Sequence, residues 1–135
     1  RRFLTRKIVR GAVAIERGAR TPIVLANLDS EVDWGYAPEY TEAMTRILDL
    51  DEADDFVIAS GRLHSVADFV AAVFTCLDLD WRDHVEVDPT LLRKTEDRGV
   101  LVGDSRRLRA ATGWAPRTGV AELARIMVDA ERQEG

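Results

Sequence analysis

The sequence is poor in the residues that staple, span or ligate. Its 135 residues include one cysteine, two histidines, four prolines and nine glycines, and aromatics make up only 7%. A lone Cys76 excludes an internal disulfide, and no metal-ligand spacing surrounds it. No apolar run approaches the roughly 20 residues that cross a bilayer, and no secretory signal is visible. These absences lead to the expectation of a cytoplasmic protein with no membrane partner. Residue 1 is Arg and not Met, so a natural translation start is expected upstream. The chemical motifs are as sparse. No Gly-x-Gly-x-x-Gly follows a strand, so the dinucleotide fingerprint is missing. There is no Walker loop and no nucleophile elbow. His64 and His84 fall on different elements and outside any metal-binding spacing, which reads as two surface or loop-edge histidines.

What is present suits one folded domain. Hydrophobic residues make up 46% and charged residues 32%, a balance that fits a packed core and argues against disorder. The net charge of −5 argues against a general nucleic-acid binder, but the charge is uneven. Arg1, Arg2, Arg6, Lys7, Arg10, Arg17 and Arg20 crowd the opening, opposed only by Glu16. Asp49, Asp51, Glu52, Asp54 and Asp55 form an acidic run that lacks the glycine of a calcium loop. The basic opening reads either as a solvated helix face or as a surface that meets phosphates.

Periodicity supplies the elements. Leu4, Ile8, Ala12 and Ile15, widened by Val9 and Val13, predict an amphipathic helix over Phe3–Arg17. Arg6, Arg10 and Arg17 fall on its opposite face. Lys7 falls at the stripe's edge, where a long side chain can lie along apolar surface and carry its ammonium into a neighbouring cleft. Pro22–Ala26 reads as a short buried strand and 27–33 as a polar loop. Pro38 opens a second helix with the stripe Tyr40, Ala43, Met44, Ile47 and Leu48. Phe56–Ala59 reads as a strand. Ser65 caps a third helix with Asp68 placed for a capping box, followed by Val66, Phe69, Val70, Val73, Phe74 and Leu77. His84–Asp88 alternates like a half-buried strand, and residues 89–98 form a charged loop. Asp104 caps a short helix that runs to Thr112 and closes at Gly113. Thr118 caps a last helix with Val120, Leu123, Ala124, Met127 and Val128 inside. Helices alternating with short strands indicate an α/β architecture.

As chemistry, the chain is better furnished for binding than for reaction. Tyr36 and Tyr40 stand four apart, but the second is not the lysine of a dehydrogenase pair. Lys7, Arg93, Lys94 and Glu96 could serve an anion and a sugar hydroxyl, because a planar guanidinium donates two parallel hydrogen bonds to phosphate. Arg93 and Glu96 could equally form a surface ion pair.

Five stretches carry a resemblance. They are Thr5-Arg-Lys-Ile8; Asn27-Leu-Asp29 with Asp33-Trp-Gly-Tyr-Ala37; Phe56-Val-Ile-Ala-Ser-Gly61 with His64-Ser-Val66; Val87-Asp-Pro89 with Arg93-Lys-Thr-Glu96; and Gly103-Asp104 with Gly113-Trp-Ala-Pro116. In order and spacing the chain resembles the carboxyl-terminal portion of the GDP-mannose 4,6-dehydratases, extended short-chain dehydrogenase/reductases of the NAD-dependent epimerase/dehydratase group. The resemblance implies that residues 1–135 are one substrate-binding domain, with an edge element of the Rossmann sheet near residues 56–61 and most of that sheet absent. It implies a lyase that turns GDP-mannose into GDP-4-keto-6-deoxy-mannose with NADP, as a homodimer or tetramer. The catalytic Thr, Glu, Tyr and Lys and the cofactor loop would lie upstream, so this chain alone is expected to be inactive and to hold no cofactor. The likeness places Lys7 at the guanine end of the substrate, Arg93 on the pyrophosphate and Glu96 on the ribose. It leaves Arg1 and Arg2 unassigned. Val32 stands where the family usually has an arginine that contacts the nucleotide, Leu92 where it has an aromatic, and Lys94 where it has a proline. Another nucleotide-sugar epimerase or reductase, or a non-catalytic binding or assembly module, are the rival readings.

Overall fold

The computed structural model describes residues 3–92 and 100–135. Its elements are α1 (Leu4–Glu16), β1 (Ile23–Leu25), β2 (Glu31–Val32), α2 (Ala37–Leu48), β3 (His64–Ser65), α3 (Val66–Thr75), β4 (Val85–Val87), α4 (Arg106–Thr112) and α5 (Val120–Glu134), with 3₁₀ turns at Trp81–Asp83 and Pro89–Leu91. The architecture is mixed α/β. β1 pairs with β4 in parallel, Ile23 opposite Val85 and Leu25 opposite Val87. β2 pairs with β3 antiparallel, Val32 opposite His64.

The main core lies where α1, α3 and α5 pack together over β1. Ile8, Val9, Ala12 and Val13 of α1 meet Phe69, Val70, Val73 and Phe74 of α3 and Ala124 and Val128 of α5, with Ile23 and Leu25 beneath. Each fully buried large side chain contributes about 1.5–3 kcal/mol, so this cluster is the main source of stability. The α1, α3 and α5 stripes follow the predicted periodicity, except that Leu4 at the start of α1 is exposed. The basic face of α1 has a specific use. Arg6 and Arg10 face Glu134 and Glu131 of α5 at 3.7 and 3.2 Å. Glu16 takes both arms of Arg132, and Arg17 donates to the Arg132 carbonyl at 3.0 Å. Part of the charge that sequence alone offered to phosphates therefore seats α5 on α1.

A second cluster joins α2 to α4 through Ala43, Leu108 and Trp114, with Tyr40, Ile47, Phe56 and Ile58 against it. The α2 stripe is only partly used. Met44 and Leu48 are 54% and 84% exposed, because α4 and Trp114 cover only the Tyr40–Ala43–Ile47 side. Three further readings are corrected. Phe56–Ala59 forms no paired strand, because no strand among the described residues lies beside it, and Val57 is half exposed. The loop expected at 27–33 contains β2. Thr118 does not cap α5; its hydroxyl donates to Glu39 Oε1 at 2.9 Å, and Gly119 takes the cap position with no side-chain bond. The α4 start falls one residue later than expected, with Ser105 at the cap position, and Asp104 still serves it by accepting from the Arg106 N–H at 3.0 Å. Gly113 ends α4 at φ 72°, a left-handed turn that glycine makes at little cost.

Candidate functional site

Three of the five stretches that carry the family resemblance meet in space, and Asp33 is where they join. β2 ends at Val32, so Asp33 leaves the strand with its carboxylate turned toward two loops. Oδ1 accepts from the Ser60 N–H at 3.1 Å and from the Ser60 hydroxyl. Oδ2 accepts from the Gly61 N–H at 3.0 Å and the Gly103 N–H at 3.3 Å. One carboxylate thus fixes loops that lie 27 and 70 residues away in sequence. Next to it, Trp34 packs on Phe69 with ring centroids 5.2 Å apart, which fastens the loop to the core. Gly35 admits the Tyr40 ring; a Cβ there would overlap the Tyr40 hydroxyl. Burial, reinforced by the Asp33 charge, pushes the Tyr40 phenol above its ordinary 10.0, against a backbone hydrogen bond from Ser60. That phenol stays neutral and acts as a packing group.

Glu39 does for the 114–118 turn what Asp33 does for the loops. It is 7% exposed, and its carboxylate accepts from the Arg117 N–H at 3.2 Å and the Thr118 N–H at 3.4 Å. Its own carbonyl accepts from Trp114 Nε1 at 3.0 Å. A buried carboxylate needs such a full set of donors to offset its desolvation.

Between the two clamps opens a cleft of about 620 Å³. Its walls are the 60–64 loop, the 102–106 segment with α4, and the 114–120 turn, with Trp34 at the edge. Among the described residues, four arginines line it, Arg62, Arg106, Arg109 and Arg117, against one carboxylate, Asp104. Asp104 is spoken for: it takes a forked pair of bonds from Arg106, the shortest 2.7 Å. Arg106 in turn holds the Asp104 carboxyl below its usual range. Arg117 reaches Glu42 at 3.0 Å. Among the described residues, Arg62 and Arg109 face no carboxylate. Sequence reasoning missed this cleft. Its arginines are spread over residues 62–117 and form no cluster in the chain.

The binding residues named from sequence fall elsewhere. Lys7 is exposed, and its ammonium donates to the Val24 carbonyl on β1, not into the arginine-lined cleft. Arg93 and Glu96 lie outside the described residues, as does Lys94. The backbone leading to them is described: the Asp88 N–H donates to the Leu25 carbonyl at 2.8 Å, and the chain continues through Pro89–Leu91 to Leu92. Val32 sits in β2 opposite His64 and brings no charge. Among the described residues, no three His, Cys, Asp or Glu side chains group to hold a metal, and no helix is long and apolar enough to cross a membrane. The described parallel pair is two strands wide, and the sequence carries no glycine fingerprint.

The fold is shared with Rossmann-type nucleotide-sugar enzymes. RMD from Pseudomonas aeruginosa, solved in complex with NADPH, superposes on 98% of this chain and 43% of its own with a TM-score of 0.85 at 18% identity. UDP-glucose 4-epimerase from Bifidobacterium longum, solved with NAD+ and UDP, covers 97% of this chain and 39% of its own at a TM-score of 0.78 and 13% identity. Sequence narrows the class. The family model for GDP-mannose 4,6 dehydratase matches residues 1–127. GDP-mannose 4,6 dehydratase 1 of Arabidopsis thaliana is 39% identical over 127 residues, 94% of this chain. The human GDP-mannose 4,6 dehydratase is 38% identical over 146 residues, 96% of this chain. The chain belongs to the GDP-mannose 4,6-dehydratase family. It spans 35% and 39% of those two relatives' lengths.

Proposed function

We propose that residues 1–135 form the substrate-holding domain of a GDP-mannose 4,6-dehydratase, with residues 56–61 serving as an edge element of a larger Rossmann sheet. The observation that carries this reading is the family match across residues 1–127, reinforced by the meeting of three of the family's stretches at Asp33. The parent enzyme converts GDP-mannose to GDP-4-keto-6-deoxy-mannose in the cytoplasm, as a homodimer or tetramer. NADP supplies and recovers the hydride of that reaction; its binding residues are not among those of this chain.

The chain's own contribution is to hold the nucleotide. Lys7 serves the guanine end, Arg93 the pyrophosphate and Glu96 the ribose. The backbone supports a shared site, since Lys7 reaches the Val24 carbonyl while Asp88, five residues before Arg93, is bonded to Leu25. Both approaches arrive at β1, Lys7 at its middle residue and Asp88 at its last. A guanidinium fork is well matched to a diphosphate, where each charge-assisted bond contributes about 1.5–3 kcal/mol.

Titration of GDP-mannose and UDP-glucose into the full polypeptide tests this. GDP-mannose is expected to bind more tightly, and Arg93→Ala to weaken it about 10- to 150-fold. Equal affinity for the two sugars, or an Arg93→Ala variant that binds as the parent does, would overturn the assignment.

A further inference from the structure

The chain is acidic overall, with 24 Asp and Glu against 19 Lys and Arg, yet the cleft between the Asp33 and Glu39 clamps is lined mainly by arginines among its described charged residues. Most of its described arginines are neutralised. Arg6, Arg10, Arg46, Arg82, Arg107, Arg125 and Arg132 each face a carboxylate within 4 Å. Arg62 and Arg109 are the departures that share a cavity. One belongs to the 60–64 loop and one to α4, and Arg106 and Arg117 line the same cleft. Arg106 and Arg117 are paired with Asp104 and with Glu39 and Glu42, which leaves the charges of Arg62 and Arg109 to attract an anion.

The walls are also fixed in advance. Asp33 holds the Ser60–Gly61 loop and Gly103, and Glu39 holds Arg117 and Thr118 by their backbones. Ordering these loops is therefore not charged to the ligand on binding. The volume, about 620 Å³, lies within the range of about 300–1,000 Å³ typical of small-molecule sites. A single phosphate would leave most of it to solvent, whereas a diphosphate offers acceptors to two planar forks. Trp34 at the rim offers an apolar edge for a group carried beyond the phosphates.

We infer that this cleft is an anion site that takes a diphosphate, held by Arg62 and Arg109, and that it works independently of Lys7. Neither Lys7 nor Val24 lines it. The diphosphate could be free pyrophosphate or the diphosphate of a nucleotide, and the two sources differ in what reaches Trp34.

The test is calorimetric titration of the full polypeptide at about 50 mM salt, where surface electrostatics are weakly screened. Inorganic pyrophosphate and UDP are titrated in separate arms, with and without saturating GDP-mannose. Saturable binding of pyrophosphate that survives GDP-mannose is expected. The Arg62→Gln/Arg109→Gln double variant should weaken it at least about tenfold, while Lys7→Gln leaves it within about twofold. UDP binding more tightly than pyrophosphate identifies a nucleotide as the source; equal affinity identifies free pyrophosphate. Both arginines are exposed, and a thermal melt of the double variant within a few degrees of the parent shows that lost binding is not lost folding. Pyrophosphate binding that GDP-mannose abolishes, or that the double variant retains, overturns the inference. The site does not depend on the dehydratase reading: if GDP-mannose fails to bind at all, the pyrophosphate arm and the double variant still decide it.

Discussion

Replacing Asp33 is the sharpest test of how this chain is held together. Its carboxylate receives three backbone N–H groups and one hydroxyl, from Ser60, Gly61 and Gly103. Hydrogen bonds to a charged acceptor contribute about 1.5–3 kcal/mol each, less where water reaches them. Asp33 is half-buried and two of the bonds share Oδ1, so the lower end applies. Asp33→Ala strands all four donors and is expected to cost about 3–5 kcal/mol. Asp33→Asn keeps an acceptor for Ser60 but turns an amide N–H toward the Gly61 and Gly103 donors, for a cost of about 2–3 kcal/mol. Ser60→Ala removes only the hydroxyl and should cost about 1 kcal/mol. Urea denaturation reads the series as a falling midpoint at constant slope. If Asp33→Asn unfolds within about 0.5 kcal/mol of the parent, the clamp is not what joins the loops, and the argument for a preformed cleft fails with it.

Other consequences can be checked in the same way. Ser65→Ala breaks the reciprocal capping box with Asp68 and should lower stability by about 1 kcal/mol. Gly35→Ala drives a methyl into the Tyr40 hydroxyl while that ring is pinned edge-on to Trp114 at 5.9 Å; a loss of about 1–3 kcal/mol is expected, with altered near-UV dichroism. A hydrogen bond from Arg132 holds Glu16 below its ordinary 4.5. Its contribution is therefore complete above about pH 4.5 and is lost as pH falls through the lowered value. Arg132→Gln should flatten the acid limb of the stability profile between roughly pH 5 and 3. Val32→Arg restores the charge usual in the family and should tighten GDP-mannose binding about tenfold or more; unchanged affinity would show that position 32 does not face the nucleotide.

What could be read in the sequence was what neighbours in the chain decide. The stripe Val66, Phe69, Val70, Val73, Phe74 and Leu77 is buried throughout, and Ser65 caps it with Asp68, because all its causes lie within a dozen residues. The readings that failed depend on distant partners. Phe56–Ala59 has a strand's composition, but a strand needs a neighbour to pair with, and composition does not reveal one. Thr118 is a good cap by type, yet Glu39, 79 residues earlier, takes its hydroxyl. Met44 and Leu48 match the helical template, but periodicity says which residues share a face and not how much of it is covered. The Asp33 clamp was hidden for the same reason. Its residue belonged to a recognised stretch, but nothing local identified Ser60, Gly61 and Gly103 as its donors.

The seating of α5 sets an order on the birth of this domain. The groove between α1 and α3 is filled by Ala124 and Val128, and the arginines that lock it reach across more than a hundred residues. While the ribosome is still making the middle of the chain, Ile8, Val13 and Phe74 therefore wait without their lid. Chaperones have their opening in that interval, and a ribosome stalled before residue 120 would display a sticky, half-built core.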